Sequence, residues 1–376
     1  MGNSLRLLRV KGIDIRVHIT FPLILIWAAI QFGWLNGMGM DGAIFGIIVT
    51  LLLFLIVVLH ELGHSLAALH YDVPVKQIVL LPIGGVAQLS RIPEKPIQEF
   101  VIAIAGPLVN VALGILLAII APLAGFALTI GNLSNNLLDL ARASMSSVFA
   151  YIFISNLFLA GFNLLPAFPM DGGRILRSIL ATRMSYPRAT AIAVIIGQSL
   201  AWLLGLYGFL GGGFFIVLIA IFIFVGASHE GQLVQLRSVL GGFTVEQAYS
   251  RQAQTLLPDS TLSDVVELTL NSFQADFPVC DGHSLVGIIT HSRLIQALNK
   301  YPPETLVKDV MVEEIHAVSP NEGLFEVQKK FSEQGVDALP VVDQGRFLGI
   351  ITSKDINEVY QLLSRKPDLL SAPNSI

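Results

Sequence analysis

The 376-residue sequence predicts a polytopic α-helical membrane protein of six transmembrane helices followed by a soluble α+β tail. Three observations carry this expectation. Only 13% of the residues are charged and 53% are hydrophobic, where a soluble domain carries about 25% charged residues. The charge is also unevenly spread, with 22 charged residues in the first 240 and 28 in the last 136. Finally, the polar tail repeats itself with a period of 62 residues, so it forms a pair of similar units. The boundary between the two parts is placed at 240/241. The net charge of −4 divides into +4 for the front and −8 for the tail, which excludes a strongly basic nucleic-acid binder. Cys280 stands alone and excludes a disulfide-stapled scaffold.

A helix needs about 20 apolar residues to cross a ~30 Å hydrocarbon core. Six such segments follow one another: Ile19 to Leu35, Ala43 to Leu69, Phe100 to Leu123, Ser147 to Leu165, Ala189 to Tyr207 and Phe209 to Ala227. The first is preceded by Arg6, Arg9, Lys11 and Arg16. No small-residue cleavage site follows it, so it reads as a retained helix rather than a signal peptide.

Six crossings put both termini on one side. The flanks on that side hold Arg6, Arg9, Lys11, Arg16, Lys76, Arg91, Lys95, Arg174, Arg177, Arg183, Arg188 and Arg237, and the other side holds Arg142. This bias predicts cytoplasmic termini and a cytoplasmic tail in a multi-pass cell-membrane protein.

In the tail, Phe277 to Arg293 aligns on Leu339 to Asp355, and Pro258 with Leu262 aligns on Pro320 with Leu324. Each unit, at about residues 244–301 and 306–362, reads as helix, short strands and helix. The strands are joined by Asp-Gly or Gln-Gly turns, and Gly-Ile-Ile-Thr opens the closing helix. Two such units are expected to pack as a pseudo-twofold pair.

The second span contains His60-Glu61-Leu62-Gly63-His64. At helical spacing His60 and His64 share one face, where two neutral imidazoles can hold two corners of a tetrahedral Zn²⁺ site, and Glu61 beside them can act as a base. With 8 His in the chain the pattern arises by chance roughly 0.006 times. A satisfied pair of core histidines is the alternative. Ionisable groups inside an apolar helix cost about 2.5 kcal/mol or more each, which a metal would offset.

A third ligand is needed. Asp14, Asp41, Asp72, Glu94, Glu99, Asp139 and Glu230 read as flank or loop residues, which leaves Asp171 in Asn163-Leu-Leu-Pro-Ala-Phe-Pro-Met-Asp-Gly-Gly-Arg174. Pro166, Pro169 and the glycine pair break the fourth helix there, and irregular backbone at membrane depth belongs beside protein or a wet cavity. An interfacial turn capped by Asp171 is the alternative. The second and fourth spans run in the same direction, so their polar motifs lie toward the same leaflet. His60 lies ~14 Å inside its helix end, so water must reach it through a cleft.

The two motifs together resemble the site-2 protease family of intramembrane zinc metalloproteases, most closely its six-span branch with a C-terminal pair of cystathionine-β-synthase (CBS) modules. The resemblance implies that His60, His64 and Asp171 ligate one zinc ion per chain, that Glu61 activates water and that Asn163 helps to hold the scissile carbonyl. It also implies that Gly106 to Asn110 packs at the active-site core and that Pro82 to Val86 forms a hairpin beside the substrate strand. Gly84, Gly85, Asn110 and Pro169 are thus the candidate substrate-side residues. The residues alone leave two alternatives open: helix-to-helix hydrogen bonding for Asn110, and a simple turn for Gly84-Gly85.

In the tail, Gly287 to Thr290 and Gly349 to Thr352 resemble the strand-to-helix signature by which CBS pairs bind ATP or AMP. The resemblance implies that Thr352 faces phosphate and Asp355 the ribose hydroxyls, whereas Arg293 replaces the aspartate beside Thr290 in the first unit. A purely structural dimerisation module is the other reading. The resemblance implies a peptidase of transmembrane protein substrates, gated by its tail, resident in the lipid bilayer and capable of homodimerising through the CBS units. The competing class is a metal-dependent transporter or non-catalytic sensor. Glu61 argues against it, because a transport site has no use for a general base.

Overall fold

The computed structural model describes residues 4–82, 84–89, 95–123, 125, 145–272 and 274–365. It divides into two compact units, Met1–Gly231 and Gln232–Ile376.

The first unit opens with a four-stranded sheet, which contains the hairpin strands that the resemblance implies around Pro82 to Val86 and adds two N-terminal strands that were not expected. Strands β1 (Ser4–Val10), β2 (Ile13–His18), β3 (Val75–Leu81) and β4 (Gly84–Leu89) pair in that order. β2 and β3 run parallel and the other pairs antiparallel. Alternation places Ile13 and Ile15 in a core with Val73, Val75, Ile78 and Leu80, while Asp14 and Arg16 point to the other face. Of the basic residues read as the flank of the first span, Arg6, Arg9 and Arg16 therefore lie on strands and Lys11 in the turn between β1 and β2.

Five helices among the described residues are long and apolar enough to cross a bilayer. They are α2 (Gly39–His70), α3 (Pro96–Leu123), α4 (Met145–Asn163), α6 (Tyr186–Tyr207, continued by a π turn to Gly212) and α7 (Phe214–Leu240). The predicted first span is shorter. Helix α1 (Pro22–Ile30) and its π turn (Gln31–Leu35) make 14 residues, or about 21 Å at 1.5 Å each. That is less than the ~30 Å core requires, because the preceding residues are used by β2 and the turn that follows it. The predicted break near Gly208 is a π turn, Gly208–Gly212, followed by Gly213 at φ 102°.

Helix α5 (Asp171–Ala181) begins after the irregular segment that follows α4 and packs on α3 and α6. Its burial corrects one expectation. Glu99 and Arg177, read as flank charges, are only 2% and 1% exposed. They form an ion pair across 78 residues of chain, which a local reading cannot detect. Glu230, also read as a flank residue, accepts a hydrogen bond from Arg177 Nη1 at 2.6 Å. Ile83, Arg91, Glu94, Asp139 and Arg142 lie outside the described residues.

The second unit holds α8 (Leu262–Asn271), β5 (Phe277–Asp281), β6 (Ser284–Ile289) and α9 (His291–Leu298). These are followed by α10 (Leu324–Gln334), β7 (Ala338–Asp343), β8 (Arg346–Thr352) and α11 (Ser353–Arg365). The strands form one sheet in the order β5-β6-β8-β7. The sequence period recurs in the pairing: Phe277 faces Ile289 and Leu339 faces Ile351. The two repeats also exchange backbone bridges, Ser250 with Ile350 and Val312 with Ile288. The partners of one bridge lie 62 residues from those of the other, which is the signature of a pseudo-twofold pair.

Candidate active site

Helix α2 carries His60 and His64 one turn apart, which brings their Nε2 atoms to 3.1 Å with the rings edge to face. Asp171 is the first residue of α5, and its Oδ2 lies 3.2 Å from His60 Nε2 and 3.1 Å from His64 Nε2. All three side chains are buried. They form a nearly equilateral triangle of two imidazole nitrogens and one carboxylate oxygen.

The remaining ring nitrogens indicate how the triangle is used. His64 Nδ1 lies 2.7 Å from the carbonyl of Ile102 on α3. A carbonyl only accepts, so Nδ1 must donate, which leaves Nε2 as a lone pair facing Asp171 and His60. His60 Nδ1 is buried and has no partner among the described residues. Zinc bonds of ~2.0–2.1 Å at tetrahedral angles give ligand-to-ligand edges of about 3.3 Å, close to the triangle's sides. The donor set and spacing therefore fit zinc, with a fourth corner left for water or substrate.

Helix α3 passes unusually close to these rings. A Cβ on Gly106 would lie 2.2 Å from His64 Nε2 and 2.8 Å from His60 Cε1. A side chain there would press on both imidazoles. Gly106 is one helical turn from Ile102, so the same face of α3 makes room for the imidazoles and orients one of them.

Glu61, next to His60, lines a cleft of about 390 Å³ shared with His60, His64, Asp171, Asn163, Gly84, Gly85 and Pro169. Strand β4 lies directly over Glu61, since a Cβ on Gly85 would come within 2.9 Å of Glu61 Cγ and of Val57 Cγ1. Asn163 ends α4, and its Nδ2 donates to Leu159 O at 3.0 Å. Asn110 does not reach the cleft. It is fully buried on α3, and its backbone carbonyl accepts from Asn156 Nδ2 of α4 at 2.7 Å. Among the cleft's other lining residues, to which the sequence assigned no role in the site, are Arg174 on α5 and Phe222 on α7. Arg174 lies three residues after Asp171, at the spacing that returns a side chain to the same helix face, and that spacing was the available signal.

In the second unit, Thr352 and Asp355 cap α11 reciprocally. Asp355 Oδ2 accepts from Thr352 N at 2.9 Å and Thr352 Oγ1 at 2.7 Å, and Asp355 N donates to Thr352 Oγ1 at 3.1 Å. Thr290 caps α9 by accepting from Arg293 N at 3.2 Å, while Arg293 Nε donates to Val310 O at 2.7 Å. Nearby, burial pushes the Asp276 carboxyl above its ordinary value, even though Asp276 accepts a hydrogen bond from the His291 backbone N–H.

Comparison with known proteins decides between peptidase and transporter. The model of peptidase family M50 matches residues 48–204, which include the histidine pair and Asp171. A zinc metalloprotease of Methanocaldococcus jannaschii is 34% identical over 370 residues, 98% of this chain and 99% of the relative. The chain belongs to peptidase family M50. It is a zinc metalloprotease of the site-2 protease type, which sets aside the transporter and sensor readings. The CBS domain model matches residues 245–300 and 307–361. Stage IV sporulation protein FB of Bacillus subtilis is 26% identical over 211 residues, 55% of this chain and 67% of that protein. The solved structure of a site-2 protease from Methanocaldococcus jannaschii has 41% identity, a TM-score of 0.44, and covers 61% of this chain and 95% of that one. The five apolar helices and its membership of this family make this M50 peptidase a membrane protein.

Proposed function

We propose that this M50 peptidase hydrolyses peptide bonds within transmembrane segments of membrane-protein substrates, with His60, His64 and Asp171 holding one zinc ion. The observation that carries the reading is the His60–His64–Asp171 triangle opening onto the same cleft as Glu61, among helices long and apolar enough to cross a bilayer. When bound, the zinc supplies Lewis acidity for a peptide carbonyl and for water at neutral pH. Glu61 takes a proton from the attacking water and delivers it to the leaving amine. Asn163, once turned away from Leu159 O, donates its amide N–H to the oxygen of the scissile carbonyl as charge develops there. An unwound substrate segment lies along β4, where Gly84 and Gly85 keep side chains out of its way, and passes Pro169 on the opposite wall. The bias of basic residues supports a cytoplasmic position for the termini and the tail.

The CBS pair supports regulation by an adenine nucleotide, mainly at the second repeat, where Thr352 and Asp355 stand at the head of α11. The same pair offers a route to homodimers. Neither property alters the proposed chemistry of the cleft.

The test combines metal analysis and cleavage on purified protein, using a labelled transmembrane peptide in detergent. Wild type is expected to hold about one zinc per chain and to cleave, with both lost in Asp171→Ala. Full zinc content in Asp171→Ala would move the third ligand elsewhere.

A further inference from the structure

Arg177 is almost completely buried, yet it contributes nothing to the chemistry described above. It sits on α5 six residues after Asp171, and its guanidinium gathers four other parts of the membrane unit. Nε donates to Glu99 Oε1 of α3 at 3.0 Å, and Nη2 donates to the same oxygen. Nη1 donates to Glu230 Oε1 of α7 at 2.6 Å. The plane is flanked by the rings of Phe168, 4.8 Å away, and Tyr186, 4.9 Å away, and the Tyr186 hydroxyl donates to Glu99 Oε1 at 3.3 Å. Phe168 belongs to the irregular segment that delivers Asp171, so the guanidinium grips α5 and the approach to it.

The partners identify what this grip sets. Glu99 lies three residues before Ile102, whose carbonyl orients His64, and seven before Gly106, which lies against both imidazoles. The Arg177–Glu99 pair thus ties the helix bearing the carboxylate ligand to the helix that shapes the histidine pair. An unpaired guanidinium in that setting would be costly, so the contact geometry is strongly held. A planar fork serving two carboxylates also fixes orientation, which a lysine ammonium does not.

We propose that Arg177 is a positioning residue of the metal centre: through Glu99 and Glu230 it fixes Asp171 relative to His60 and His64. The inference rests on the reading of those three residues as zinc ligands. It is tested on full-length purified protein with two variants, Arg177→Lys and Glu230→Gln. The second removes one charge at a half-buried site and keeps the side-chain shape. Zinc release to a chelator and the visible absorption spectrum of the cobalt-substituted protein report the ligand geometry without reference to activity. Both variants are expected to elute and to show helical circular dichroism as wild type. They should lose zinc at least tenfold faster and shift the cobalt bands, with Arg177→Lys the more affected. Folded variants with wild-type release rates and cobalt spectra would reduce Arg177 to an ion pair that only packs helices. Should Arg177→Lys fail to fold, Glu230→Gln decides the matter alone. Wild-type protein that bound no metal would instead overturn the zinc reading itself.

Discussion

Replacing Gly106 by Ala tests how tightly α3 is fitted to the metal centre. In an ordinary helix interior the change is stabilising by about 1 kcal/mol, so any loss must come from the new methyl group. That methyl would stand 2.2 Å from His64 Nε2, 2.6 Å from His64 Cε1 and 2.8 Å from His60 Cε1. Normal contact is about 3.5 Å, so roughly 1.3 Å must be recovered at His64. Either α3 retreats or the imidazole turns, and both disturb the 2.7 Å bond from His64 Nδ1 to Ile102 O one turn away. Overpacking of this kind costs about 1–3 kcal/mol, and a ~1 Å displacement of reacting groups lowers rates by about 10²-fold. Gly106→Ala is therefore expected to fold, to bind zinc about tenfold more weakly or worse, and to cleave the transmembrane peptide about 10²-fold more slowly. The control is Gly161→Ala on α4, where a Cβ meets nothing within 4 Å, and it should match wild type. Wild-type zinc affinity and rate in Gly106→Ala, or an equal loss in Gly161→Ala, would refute the argument.

Two further outcomes follow from the site and the tail. Asn163→Ala is expected to keep its zinc while losing ~3 kcal/mol of transition-state stabilisation, seen as a fall in kcat rather than a rise in KM; unchanged kinetics would return Asn163 to a helix-end role. In full-length protein, calorimetry with ATP or AMP is expected to show binding that Asp355→Ala weakens, with cleavage depending on nucleotide concentration; heats that are absent or unaffected by the substitution would leave the tail as a dimerisation module.

The metal motif was legible because its information is local. Two histidines one turn apart share a helix face whatever the rest of the chain does, and Asp171 stood out by its place in a Pro- and Gly-broken segment, although Glu99, set aside as a flank charge, is buried as well. The tail repeat was legible for a similar reason, since the pairing Phe277–Ile289 recurs 62 residues later as Leu339–Ile351. What escaped was non-local. The two N-terminal strands were hidden because β2 pairs with β3 across the whole of α2, although the alternation Ile13-Asp14-Ile15-Arg16-Val17-His18 carried a strand signal. Arg177 and Glu99 each looked like the charge that ends a membrane span. Only the fold shows them paired, and no period or spacing encodes a contact between α3 and α5. The first span was read too long because apolar residues in a turn and in a helix look alike without the sheet that uses them. Asn110 could be read as a substrate contact or as a helix contact, and its burial on α3 with its backbone carbonyl held by Asn156 of α4 is a contact between distant parts of the chain that spacing does not encode.

The cleft joins the proposed zinc site to a separate base, and Glu61→Gln separates the two. The measurement is zinc content and cleavage rate on one preparation of purified Glu61→Gln protein beside wild type. The substitution keeps size and hydrogen bonding, leaves His60, His64 and Asp171 in place and removes the proton acceptor. Glu61→Gln is expected to hold about one zinc per chain while its rate falls by ~10² to 10⁴ or to nothing detectable. A zinc-loaded Glu61→Gln protein that cleaves at close to the wild-type rate would contradict it.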